Sequence, residues 1–241
     1  NITQSGALII TGTTTLLTSG EGATIDLSTT SNKFTGALLI TTNDNTDGSD
    51  ELYEADVTID GGEIAALVIG TSTIDGDLTL INGNASGITD ASGATVTVNG
   101  NLIATTDNNS GVINLGDDNR LAVSGKFQLI TDGTGDATVV NSTGLNFITA
   151  KVGGDFSATA TNGAITQDAA FDIDGTTNVY SATEDNIILS KAGNDFSGAV
   201  WFRGGGVFIK DKNNIDFGTS NSTATKIYDG YTLKVIAKNN I

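Results

Sequence analysis

One short phrase recurs along this chain: an apolar residue, then Gly two places on, then apolar residues or Ala two and four places further. Full copies are Phe34-x-Gly36-x-Leu38-x-Ile40, Ile74-x-Gly76-x-Leu78-x-Leu80, Val98-x-Gly100-x-Leu102-x-Ala104, Val123-x-Gly125-x-Phe127-x-Leu129, Val152-x-Gly154-x-Phe156-x-Ala158 and Phe196-x-Gly198-x-Val200-x-Phe202. Gly12 and Gly175, preceded by Ile10 and Ile173, carry its first half. The spacing of neighbouring glycines is roughly 21–29 residues, the period of stacked-coil repeats. One longer interval, from Gly36 to Gly76, reads as two turns with Gly61 as an imperfect marker. A phrase that returns in this way restricts the chain to a stack of similar units, because each unit must meet the same neighbours as the last.

A longer repetition lies over the short one. Residues 2–19 (ITQSGALIITGTTTLLTS) match residues 165–182 (ITQDAAFDIDGTTNVYSA) at eight of 18 positions, with an offset of 163. After a slip of one place, Leu27–Ala37 matches Leu189–Ala199 at six of 11 positions.

Within each unit the apolar residues alternate with polar ones, as in Thr95-Val96-Thr97-Val98, Asp77-Leu78-Thr79-Leu80 and Leu233-Lys234-Val235-Ile236, and clusters of Gly, Asn, Asp, Ser and Thr lie between them. That is the pattern of short half-buried strands joined by turns, and no window carries a capped amphipathic helix. The chain has no Pro, which suits a parallel stack in which nearly every strand N–H is used. The expected fold is all-β: a right-handed parallel β-helix, or β-solenoid, of about ten turns of roughly 24 residues. It forms a single solenoid segment over 1–241 with an acidic loop inserted near 43–56. A β-sandwich also uses short strands and polar turns, but it does not require one phrase to recur.

Composition narrows the chemistry. There is no His or Cys, so thiolate and imidazole metal sites, disulfides, Cys nucleophiles and His-based triads are excluded. The net charge of −17 argues against nucleic acid and anionic membranes as partners. No apolar run is long enough to span a bilayer and no signal peptide is present. The opening Asn1-Ile2-Thr3, without Met, reads as a processed product or a piece of a longer polypeptide.

Several places could carry chemistry, and each has a plainer reading. Asp44, Asp47, Asp50, Glu51, Glu54 and Asp56 have the composition of a Ca²⁺ loop but not the ligand spacing of an EF-hand or calcium β-roll, so they read as a solvated bulge. Gly116-Asp117-Asp118-Asn119 reads as a turn of the same kind. Asp172, Asp174 and Asp185 are candidates for paired acids on adjacent turns, as polysaccharide-cleaving β-helices use. No aromatic–Arg cluster accompanies them, and solubility explains them as well. Ranks of Thr (Thr13–Thr15, Thr71-x-Thr73, Thr95-x-Thr97) slip in phase against the Gly marker, against an ice-binding face. Phe127, Phe147, Phe156 and Phe171 read as core, and Trp201 as packed against an insert rather than a ligand. The sequons at Asn84, Asn141 and Asn221 are expected by chance in so Asn- and Thr-rich a chain. No residue is nominated as catalytic, cofactor-binding or metal-binding, and no cofactor is expected.

The phrases Asn1–Gly12, Asn162-Gly163-Ala164-Ile165-Thr166-Gln167, Ala192–Val200 and Lys212-Asn213-Asn214-Ile215 resemble the repeats of large bacterial exoproteins similar to filamentous haemagglutinin. The resemblance implies a right-handed parallel β-helix serving as the shaft of a cell-surface adhesin, exported by the two-partner route. The family's Asn-Pro-Asn-Gly secretion motif has no counterpart here, since Pro is absent. Joining Asn239-Asn240 to Ile2-Thr3-Gln4 recreates the phrase Asn-Asn-Ile-Thr-Gln, as expected of one unit in a tandem array. The expected role is therefore structural and extracellular, with other surface or extracellular components as partners, end-to-end self-association among them. A carbohydrate-binding or polysaccharide-cleaving module and a calcium-stabilised surface layer are the alternatives.

Overall fold

A computed structural model describes residues 1–20, 22–42, 55–218 and 225–238. The acidic loop expected near 43–56 falls outside these residues except for Ala55 and Asp56, and Asn221 and 239–241 also lie outside. Every strand pairing among the described residues is parallel, and the chain winds as a β-solenoid of about nine turns, close to the ten expected. There is no helix among the described residues.

Two long sheets run the length of the stack. The first takes one strand from each turn, beginning with Ile2–Thr3, Ile25–Leu27, Val57–Asp60, Leu78–Asn82 and Leu102–Thr106, and ending with Ile187–Leu189, Val207–Asp211 and Leu233–Ala237. The second includes Thr14–Thr18, Leu38–Thr42, Ala137–Asn141, Phe156–Ala160, Thr177–Ser181 and Val200–Gly204. The pairing explains the alternation in the sequence. In register, Ile25, Val57, Leu78, Leu102 and Phe127 form one inward rank, while Asp26, Thr58 and Thr79 form its outward neighbour. A one-residue slip would turn every apolar side chain outward, so burial fixes the register. The phenylalanines read as core are core: Phe147 lies 5.8 Å from Phe127, 5.7 Å from Phe156 and 5.3 Å from Phe171, centroid to centroid.

The Gly phrase marks two different corners of the coil, which corrects its reading as a turn counter. Gly76, Gly100 and Gly125 stack at the corner that enters the first sheet, with Gly100 N–H donating to Gly76 C=O (3.1 Å) and Gly125 N–H to Gly100 C=O (3.0 Å). Gly135, Gly154 and Gly175 stack at the corner that enters the second sheet, through bonds of 2.9 and 3.0 Å. Gly12 and Gly36 also precede second-sheet strands. The two longest intervals, Gly36 to Gly76 and Gly125 to Gly154, are therefore the places where the phrase moves from one corner to the other. A Cβ on Gly100 would sit 2.6 Å from the Gly76 carbonyl carbon, so close backbone approach, not a positive φ, demands Gly here.

The residue that follows the corner has work of its own. Asp56 Oδ1 accepts from Asp77 N–H (2.7 Å), Asp77 Oδ1 from Asn101 N–H (2.7 Å), and Asn101 Oδ1 from Lys126 N–H (2.8 Å). At the other corner Asp136 accepts from Asp155 N–H and Asp155 from Thr176 N–H, both at 2.7 Å. Part of the acidic charge thus continues the backbone ladder around bends where strand pairing stops.

Candidate functional site

The two sequence blocks offset by 163 encode the same polar clasp. Asn194 is fully buried; its Oδ1 accepts from Phe171 N–H and Gln167 Nε2, both at 2.9 Å. Its Nδ2 donates to Gln167 Oε1 (2.8 Å), Leu189 C=O (2.9 Å) and Lys210 C=O (3.2 Å). Asn32, also fully buried, repeats this set with Gln4 Nε2 and Leu8 N–H as donors and Gln4 Oε1, Leu27 C=O and Asp60 C=O as acceptors. Each clasp ties three consecutive turns together at a corner. The Ile-Thr-Gln phrase and the Asn before Lys33-Phe34 or Asp195-Phe196 are its two halves. A side-chain amide has both a donor and an acceptor group, so two amides satisfy each other and still reach the backbone. The clasp is structural, and no reacting group lies in it.

The acidic candidates divide. Asp172 and Asp174 line one shallow groove with Asp132 and Lys151, but Asp185 stands on another corner, where its N–H donates to Ser181 Oγ. The three do not converge. The turn Gly116–Asn119 gains a partner the sequence did not nominate: Asp90, one turn earlier, brings its carboxylate within 4.8 Å of those of Asp117 and Asp118. Asp90 Oδ1 accepts from Gly116 N–H (3.1 Å) and Asp118 Oδ2 from Gly93 N–H (2.8 Å). Asp90 Oδ2 and Asp118 Oδ1 are buried without a partner among the described residues. Desolvation, opposed by the Gly116 N–H and reinforced by the two neighbouring carboxylates, raises the Asp90 pKa above its ordinary value.

Asp60 and Asp211, beside the two clasps, are raised as well, in each case chiefly by burial. A carboxyl with a raised native pKa holds its proton more tightly when folded, so its contribution is greatest below the unfolded value and is lost as pH rises through the native one. The melting temperature should therefore climb as pH falls from 7 toward the ordinary carboxylate range. Asp90→Asn keeps the Gly116 bond and removes a charge; it should raise the melting temperature at pH 7 and flatten that climb, as scanning calorimetry would record. A fall in stability on this substitution would contradict the account of a charge destabilised by burial and, secondarily, by its two like-charged neighbours.

Contrary to the expectation from the sequence, aromatic and basic side chains do cluster, on the second sheet. In the second sheet Tyr180 pairs in register with Arg203, and Arg203 with Lys226. The Arg203 guanidinium lies 5.0 Å from the Tyr180 ring centre and 5.8 Å from that of Tyr228, to whose Oη its Nε donates at 3.1 Å. Lys226 Nζ lies 4.8 Å from the Tyr228 ring. The outer side of the first sheet carries a second such group, Phe208 between Lys210 and Lys234. Seven of the 11 Lys and Arg residues follow position 190, so the positive charge gathers at this end of the rod. Trp201 is half-buried against Gly218, in keeping with packing rather than display.

A rank of Thr does form where Thr41, Thr73 and Thr97 align, but it ends at Ala122. Asn141 is fully buried and bonded to Val123 C=O, so its sequon is closed in the folded chain.

A profile of repeats of unknown function, DUF5649, matches residues 1–41, 54–128 and 134–202, well over half of the sequence. The chain belongs to the DUF5649 repeat family. Gly12, Gly36, Gly76, Gly100, Gly154, Gly175 and Gly198, and the Gln and Asn of both clasps, fall within the matched DUF5649 segments. No curated protein and no solved structure matches the chain. Among the described residues no helix is long and apolar enough to cross a membrane.

Proposed function

We propose that this DUF5649 chain is a shaft segment of an extracellular bacterial adhesin or surface filament, with a mechanical rather than a catalytic role. The observation that carries this reading is the continuity of the stack. One parallel sheet passes from Ile2–Thr3 to Leu233–Ala237, and the clasp built by Gln4 and Asn32 near its start recurs as Gln167 and Asn194 near its end. A fold whose hydrogen bonds and apolar ranks add turn by turn extends by repetition, and so holds a distal part at a distance. The resemblance of its phrases to filamentous haemagglutinin-like repeats supports the adhesin part of the proposal, and two-partner secretion would deliver it. Antibodies raised against the purified chain should label intact cells of the source organism. Labelling that appears only after permeabilisation would remove the extracellular reading.

The Tyr180–Arg203–Tyr228–Lys226 strip favours a second reading, binding of acidic polysaccharide. Flat rings suit sugar faces, and the cations suit carboxylates or sulfates. Retention on an acidic glycan that weakens with salt and drops at least about tenfold in Arg203→Ala and Tyr228→Ala would support it. Equal retention on neutral glycans, indifferent to both substitutions, would not.

A further inference from the structure

The face of the first turn that points away from the stack is matched, position by position, by a face that lies inside it. At the offset of 163, Ile2, Leu8, Ile10 and Leu16 correspond to Ile165, Phe171, Ile173 and Val179. The latter four are at most 1% exposed, whereas Ile2, Leu8 and Ile10 are half-buried and Leu16 is 9% exposed. The difference comes from what lies beneath. Ile165, Ile173 and Val179 pair with Leu145, Val152 and Ala158 of the preceding turn, and Phe171 packs on Phe147 and Phe156. Ile2, Leu8, Ile10 and Leu16 line an open groove instead.

The backbone agrees. In the interior turn, Asp168, Ala169, Asp174, Gly175 and Ala182 donate their N–H groups down to Phe147, Ile148, Val152, Gly154 and Ala160. Their counterparts Ser5, Gly6, Thr11, Gly12 and Ser19 have no backbone acceptor among the described residues. Gly175 would bring a Cβ within 2.5 Å of the Gly154 carbonyl carbon, yet a Cβ on Gly12 would meet nothing within 4 Å among the described residues. The first turn therefore keeps a close-approach glycine at a place that no described residue approaches.

We infer that residues 2–19 form a docking face for another solenoid turn, and that its occupant is a second copy of this repeat, seated through its residues 145–160. Those residues already cover the equivalent face at 165–182, and the offset of 163 fixes the phase: a copy of residues 1–163 set directly ahead of Asn1 places Ile2 where Ile165 stands. This deepens the repeat-shaft reading but does not depend on adhesion.

The test is a tandem chain, residues 1–163 followed by 1–241, compared with the single chain by amide hydrogen exchange. In the tandem, exchange at Ser5, Gly6, Thr11, Gly12 and Ser19 of the downstream copy should slow by about 100-fold, toward the rates at 168, 169, 174, 175 and 182. Gly12→Ala in that copy, harmless in the single chain, should lower the melting temperature of the tandem as Gly175→Ala does. A tandem joined out of phase should give neither effect. Unchanged exchange together with a harmless Gly12→Ala in the in-phase tandem would overturn the inference, and would leave the cell-labelling result untouched.

Discussion

Asn194→Ala should lower the unfolding free energy by about 4 kcal/mol, a large loss for a single polar side chain. The substitution leaves Phe171 N–H, Leu189 C=O, Lys210 C=O and both ends of the Gln167 amide without their partners, inside a corner where Asn194 is fully buried. Each buried polar group left unpaired costs about 1–3 kcal/mol, and water entering the vacated space recovers part of it. Denaturant unfolding monitored by far-UV circular dichroism gives the number. Because the two amides satisfy each other, Gln167→Ala combined with Asn194→Ala should cost clearly less than the two separate losses added together. Additive losses would mean that the amides act independently and that the clasp is no unit. Asn32→Ala should cost less than Asn194→Ala, since its partner Gln4 lies in the turn with the open face.

Gly100→Ala should cost about 3 kcal/mol, the upper range for adding a methyl group to packed structure. Its Cβ would lie 2.6 Å from both the carbonyl carbon and the carbonyl oxygen of Gly76, and this obstacle is backbone, which cannot rotate away. Relief requires the corner to open, and opening it lengthens the Gly100–Gly76 and Gly125–Gly100 bonds together. In an ordinary loop Gly→Ala stabilises by about 0.4–1 kcal/mol by restricting the unfolded chain, so the two accounts differ in sign. Thermal melts of Gly100→Ala beside Gly12→Ala, whose Cβ site is open, separate them. Equal effects at both positions would show that stacking is not what selects glycine.

Most of the fold was legible in the sequence because its determinants are local and periodic. Alternation in Thr95–Val98 or Asp77–Leu80 states which side of a strand is inside, and the absence of Pro permits unbroken ladders. The layout of corners is harder to read. Gly76 and Gly135 share the same local chemistry, a corner glycine followed by Asp, and only the stacking reveals that they belong to different corners. The Asp or Asn after the glycine is a readable signal whose meaning lies in the next turn. Asp77, Asn101, Asp136 and Asp155 look like solubilising residues, yet each accepts an N–H from the coil that follows.

What sequence reading did not reach depends on register between turns. Asp90 meets Asp117 and Asp118 only because residues 88–89 pair with 113–114. Asp185 parts from Asp172 because strand Thr177–Ser181 carries the chain to another corner between them. Tyr180, Arg203 and Lys226, on three successive coils, look unrelated until pairing aligns them on the outer surface. The Gln–Asn clasp shows both sides of the matter. Its residues lie in the two long blocks that match at the offset of 163, so the sequence by itself determined where they recur. Only the tertiary structure decided why: the Asn194 amide, remote from Gln167 along the chain, acquires a meaning when the coil returns it to the same corner and closes out the water.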